Sequence, residues 1–174
     1  MDLVSGKIKR RYFSPIFMRR VLFSFLLLAL SGCGLDETLQ RSDKALSLEE
    51  ASKDATVSSL PFPPSTTDVY YVYHAGGMQE WEFFVRFTVD SNDLDKAVND
   101  LLSNRDKTIN EHHFYTFKPI ADAPASPEES FLSPMPWWNP GSITNGYYRD
   151  STNGQPCQIW ADVTHHTIYL SETD

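Results

Sequence analysis

Basic residues are scarce in this 174-residue chain once the first 32 residues are set aside. Beyond that point nine Lys and Arg face 22 Asp and Glu, a net charge of −13. Nucleic-acid binding needs a basic footprint, and so does lying flat on anionic lipid. The charge therefore argues against both and is accounted for by solubility. Long apolar runs are also missing. The longest, Val21–Leu30, has ten residues, whereas a spanning helix needs about twenty. Only two cysteines are present, Cys33 and Cys157, and no C-x-x-C or H-E-x-x-H spacing accompanies them, so no metal site is indicated. There is no G-x-S-x-G elbow for a hydrolase nucleophile. Gly76-Gly77 is followed by Met78-Gln79-Glu80 rather than Lys-Ser/Thr, which suits a hairpin turn and not a phosphate cradle. No internal repeat is visible, no motif calls for a cofactor, and no catalytic residue is assigned.

What is present is concentrated first in the leader. Arg19 and Arg20 supply a basic start, Val21–Leu30 an apolar middle, and Ser31-Gly32 small residues before Cys33. That order is the architecture of an export signal. Leu30-Ser31-Gly32-Cys33 resembles the lipobox of bacterial lipoproteins, and the chain is identified as resembling a lipoprotein precursor over residues 1–33. The resemblance implies cleavage between Gly32 and Cys33. It further implies a thioether-linked diacylglycerol on Cys33, usually with a third acyl chain on its amine. At roughly 0.8 kcal/mol per buried methylene, two or three chains hold a domain persistently to a bilayer. The implied partner is thus the membrane, and the implied place is the cell envelope, facing away from the cytoplasm. Gly34 follows the cysteine where Asp would signal inner-membrane retention, so the outer membrane is favoured in a host that has one. Met18–Cys33 is already a complete signal and Met18 an alternative start, while Arg10-Arg11-Tyr12-Phe13 matches a twin-arginine signal poorly because Pro15 intervenes. With Cys33 given to lipid, Cys157 is left to be a small buried hydrophobe or to form an intermolecular disulfide. Burial is the preferred reading, since Cys157 opens the strand-like run 157–163.

Residues 33–67 read as the lipidated N-terminus and a flexible linker. Asp36–Ala55 is charged and weakly periodic, and Leu60–Thr67 is rich in proline and so stiff and extended. The folded part is expected at 68–174 as a single α+β domain. Asp68–His74 and Gln79–Val89 read as a hairpin, with Trp81, Phe83, Val85, Phe87 and Val89 alternating onto one face. Leu94, Ala97, Val98, Leu101 and Leu102 recur at three- and four-residue steps, predicting a helix over 91–104. Strands are expected at 113–118, 147–149, 157–163 and 166–171, with Asn153-Gly154 as a tight turn. The expected architecture is an antiparallel sheet of five or six strands with one main helix packed on it. The proline-rich stretch 121–136 is long for a loop inside a domain and is expected to be functional or disordered.

The candidate binding residues are aromatic. Trp137-Trp138 lies near Tyr147-Tyr148, and exposed aromatics stack on sugars and dominate interfaces. In an extended segment at most one of the tandem tryptophans can be buried, whereas Trp81 and Trp160 are expected in the core. Arg86 interrupts an apolar strand on the face opposite Phe83, Val85 and Phe87, and is expected to need a carboxylate such as Asp162 or Glu82. His74, His112-His113 and His165-His166 are expected at the surface and at strand edges, because adjacent strand residues point to opposite faces. Cys157 and Asp162 should likewise face apart. The expectation is a membrane-anchored envelope lipoprotein whose domain is a binding or structural module for an envelope protein or a glycan. The alternatives are a hydrolase or metal-dependent enzyme using the histidines and Cys157, and an inhibitor or immunity-like lipoprotein.

Overall fold

Alternation in the strand-forming segments sorts their side chains onto two faces, and the computed structural model shows how each face is covered. It describes residues 37–76, 81–109, 115–124, 135–151 and 157–173. Seven strands form one antiparallel sheet: β1 (Thr38–Arg41), β2 (Thr67–Ala75), β3 (Trp81–Thr88), β4 (Tyr115–Pro119), β5 (Gly146–Ser151), β6 (Cys157–Asp162) and β7 (Thr167–Thr173). Their spatial order is β1-β2-β3-β7-β6-β5-β4. The chain therefore builds a three-stranded meander, crosses to the far edge, and returns as a four-stranded meander whose last strand seals against β3. One row of partners, Arg41, Val72, Phe84, Ser171, Gln158, Asp150 and Thr116, crosses all seven strands.

The α+β class is as expected, with one strand more than the largest expected number. The additional strand is β1, and it lies in the stretch read as linker. Residues 38–66 fold onto the sheet instead of forming a tether. The Ser42 N–H donates to the Tyr71 carbonyl at 3.0 Å, the Ser42 hydroxyl accepts from the Tyr71 N–H at 2.9 Å, and Leu46 bridges Val69. A short helix, α1 (Leu48–Lys53), follows. Its start is fixed by a reciprocal cap, in which the Glu50 N–H donates to the Ser47 hydroxyl and the Ser47 N–H to the Glu50 carboxylate. Ala51 and Val57 are fully buried against the sheet, with Leu46, Leu60 and Phe62 packed beside them. These few apolar residues are separated by charged ones at no clean period, so the segment looks like linker until its partners are in place.

The main helix, α2 (Leu94–Ile109), begins and ends later than expected but buries the predicted residues: Leu94, Ala97, Val98, Leu101 and Leu102. It lies on the face formed by Phe83, Val85, Phe87, Ile159, Ala161, Ile168 and Leu170. Cys157 is buried on this face as expected, and Asp162 points to the other. The opposite face carries Val72, Phe84, Tyr148, Trp160 and Tyr169, and it is covered by Met135, Trp138 and Ile143. The strand β3 is thus covered on both sides, which explains why Phe84 is as buried as Phe87. Met135, near the end of the proline-rich stretch, is packing material, while 125–134 lies outside the described residues, as does the Asn153-Gly154 turn. Close approach at the start of β5 demands glycine at 146, where a Cβ would stand 2.0 Å from the Ala161 carbonyl oxygen. Among the described residues no helix is long and apolar enough to cross a membrane.

Candidate functional site

The tandem tryptophans divide between two environments. Trp138 is buried, wedged edge-on against Phe84, Trp160 and Tyr169 at ring-centroid distances of 5.0, 5.9 and 5.6 Å. Trp137 is half-buried and stacks on Tyr70, 5.6 Å between centroids with the planes 20° apart. This agrees with the expectation that only one of the pair can be buried. Trp160 is in the core as expected, and Tyr148 is fully buried, accepting a hydrogen bond from the Gln158 amide at 2.9 Å. Burial pushes the Tyr148 hydroxyl well above its ordinary value. Tyr147 faces the helix side, where its hydroxyl donates to Asp95 at 2.6 Å, and burial raises its pKa as well. The four aromatics of the candidate cluster therefore do not converge on one surface.

Arg86 departs from expectation too. Among the described residues it has no carboxylate within ion-pair distance. Its guanidinium lies 5.5 Å from the Tyr70 ring centroid, so a cation–π contact replaces the expected ion pair. Asp162 is committed elsewhere, to the β6–β7 turn. It accepts from the Thr164 and His165 N–H groups at 2.8 and 3.1 Å and sits 2.7 Å from His165 Nδ1. Burial pushes its carboxyl up, but the bonds from His165 and Thr164 outweigh this and hold it below its ordinary value of 3.8.

The histidines are distributed. His74 sits 3.0 Å from Glu37, at the end of the sheet where β2, β3 and Thr173 of β7 meet. His165 and His166 occupy the turn before Thr167, at the other end of β7. His112 and His113 lie outside the described residues. No group of three or more His, Cys, Asp or Glu suited to a metal ion occurs among the described residues.

A pocket of about 360 Å³ lies on the helix side, at the end of the sheet away from the β6–β7 turn. Its lining is Gln40, Ala55, Thr56, Tyr73, Trp81 and Phe83. Three of these share one row across the sheet, since Gln40 pairs with Tyr73 and Tyr73 with Phe83. Trp81 is one side-chain step along β3 from Phe83 and only partly buried. Tyr73 and Phe83 meet edge to face at 6.3 Å. The far wall comes from the loop after α1, which is held down at Asp54. The Asp54 carboxylate accepts from the Tyr71 hydroxyl at 2.8 Å and from the Thr56 N–H at 2.9 Å. Burial raises the Asp54 pKa, but the bonds from Thr56 and Tyr71 prevail and keep it below its ordinary value. The Thr56 hydroxyl donates to the Gln40 side-chain oxygen, which leaves the Gln40 amide N–H groups as donors. No lining side chain carries a formal charge.

Sequence reasoning placed Trp81 in the core and Gln40 and Thr56 in a linker, so it missed this pocket. The available signal was Gln79–Thr88 itself, where Trp81 comes first in an alternating run and so lies at the strand end. Compared with known proteins, the chain matches no family model and no curated relative.

Proposed function

We propose that this chain is an envelope protein anchored by acyl chains on Cys33, and that its domain is a binding module which takes a neutral glycan in the pocket at Trp81. The lipobox at Leu30–Cys33 supports the anchor and, with Gly34 after the cysteine, a location facing away from the cytoplasm on the outer membrane of a host that has one. The pocket carries the binding reading. Its volume falls among those of small-ligand sites, which are mostly apolar with a few convergent polar groups. Trp81, Tyr73 and Phe83 supply apolar faces of the kind that sugar rings stack on, and the Gln40 amide with the Thr56 hydroxyl supplies hydrogen-bonding groups. The absence of charge in the lining disfavours an ionic ligand, because a buried unpaired charge is costly.

The test of the pocket is a titration of the mature domain with short, neutral N-acetylglucosamine oligomers, followed by tryptophan fluorescence and NMR of the indole N–H groups. A saturable change at Trp81 is expected, lost in Trp81→Ala and kept in Trp137→Ala. A change unaffected by Trp81→Ala, or none at all, removes the glycan reading and leaves an envelope protein as the partner. The anchor is tested separately: Cys33→Ala should abolish incorporation of labelled fatty acid.

A further inference from the structure

Because β1 is part of the sheet, the distance between the anchor and the fold is short. Thr38, the first residue of β1, is five peptide steps from Cys33. Fully extended, five steps span at most about 18 Å. We propose that the β1 edge is the membrane-facing edge of this domain, held close to the lipid headgroups by that leash. The proposal rests on the lipid-anchor reading and adds the orientation that the anchor imposes.

Several observations carry it. The start of β1 is secured to the sheet, not frayed from it: Thr38 to Arg41 pair with Ala75 to Val72, and Glu37 meets His74 at 3.0 Å. The chain cannot lengthen the leash without breaking those bonds. All four β1 residues are exposed, Leu39 at 45% of its free surface, and β1 is one of the two outer strands of the sheet. The other edge, β4, is six strand spacings away along the row from Arg41 to Thr116, about 29 Å at 4.8 Å per spacing. That exceeds the leash, so β4 cannot reach the anchor point as β1 does. Surface charge does not supply the orientation. Arg41, Lys44 and Lys53 near this edge are each matched by Asp43, Glu50 and Glu49. Gln40, which lines the pocket, belongs to β1, so the pocket lies at the anchored end and would meet ligands displayed at the membrane surface.

The experiment uses full-length protein matured in cells and reconstituted into vesicles carrying a nitroxide on the lipid headgroup. Single cysteines replace Leu39 or Lys118 and carry a fluorophore; Cys157 is buried and Cys33 is consumed by lipid. Mass spectrometry first establishes acylation of Cys33. The expected result is loss of most emission at position 39 and near-full emission at position 118. Inserting twenty Gly/Ser residues after Gly34 gives a linker of about 25 Å root-mean-square reach and should largely erase the difference. Acylated protein with equal quenching at both positions overturns the orientation alone, and a difference that survives the insertion overturns the leash as its cause. Unmodified Cys33 overturns the anchor and the orientation together.

Discussion

The two faces of the sheet are buried by different means. On one, α2 lays five aliphatic residues over Val85, Ile159, Ile168 and Leu170, and the 46–62 segment completes the cover. On the other no α-helix is present among the described residues; Met135, Trp138 and Ile143 cover Phe84, Tyr148, Trp160 and Tyr169, with Ile120 and Ala123 packed beside them. An irregular segment has few side chains to offer per unit length. It can exclude water from a sheet only if each is large, and aromatic rings on both sides of the contact meet that need. The helix face spreads its stabilisation over many small contributions, whereas the loop face concentrates it in Trp138.

The largest test of this contrast is Trp138→Ala. Losing a buried tryptophan should cost about 3–5 kcal/mol, read as a drop in the urea midpoint. Leu101→Ala on the helix face is expected to cost less, toward the low end of the about 2–5 kcal/mol found for such changes. Equal or reversed costs would break the contrast.

Gly146→Ala comes next. A methyl group 2.0 Å from the Ala161 carbonyl oxygen cannot be accommodated without moving backbone, and overpacking of this kind costs about 1–3 kcal/mol. The effect should appear as faster amide exchange in β5 and β6, leaving the β1–β2 pairing intact.

Tyr71→Phe removes the hydroxyl that binds Asp54 and should cost about 1 kcal/mol. It should also loosen the Thr56 wall and weaken any ligand held at Trp81, whereas Trp138→Ala, at a dose that leaves the domain folded, should not act on that wall directly.

The smallest effect is one of pH. Asp54 and Asp162 both titrate below their ordinary value of 3.8 when folded. A carboxyl whose folded pKa is depressed binds its proton more readily when unfolded. Its stabilisation is therefore complete above the unfolded value and is lost as pH falls through the folded one. The urea midpoint should hold from neutral pH to about 5 and decline below 4. Asp162→Asn should flatten part of that decline, and a curve identical to wild type would sever the link to the β6–β7 turn.

The hairpin, the main helix and the three C-terminal strands were legible because each repeats its apolar residues at a fixed period. Trp81, Phe83, Val85 and Phe87 keep a period of two, and Leu94 to Leu102 keep the helical steps. The segment 38–66 was not legible, because its few buried residues, Ala51 and Val57 with Leu46, Leu60 and Phe62 beside them, follow no fixed period and gain meaning only when α1 meets β2. The candidate aromatic cluster was half legible. Sequence adjacency showed that Trp137 and Trp138 must separate, but not which one would be covered. The pocket was not legible, since Gln40, Thr56 and Trp81 come from three distant segments.

The sequence by itself determined the net negative charge, the strand and helix periods, and hence the α+β class, because each of these depends only on composition or on residues near one another in the chain. Tertiary structure alone decided that residues 38–66 belong to the fold, that Trp138 replaces a helix on one face, that Arg86 rests on Tyr70 instead of a carboxylate, and that a pocket forms beside Trp81. Each of those outcomes is a contact between segments far apart in sequence, and pairing strands in a particular order is what brings them together.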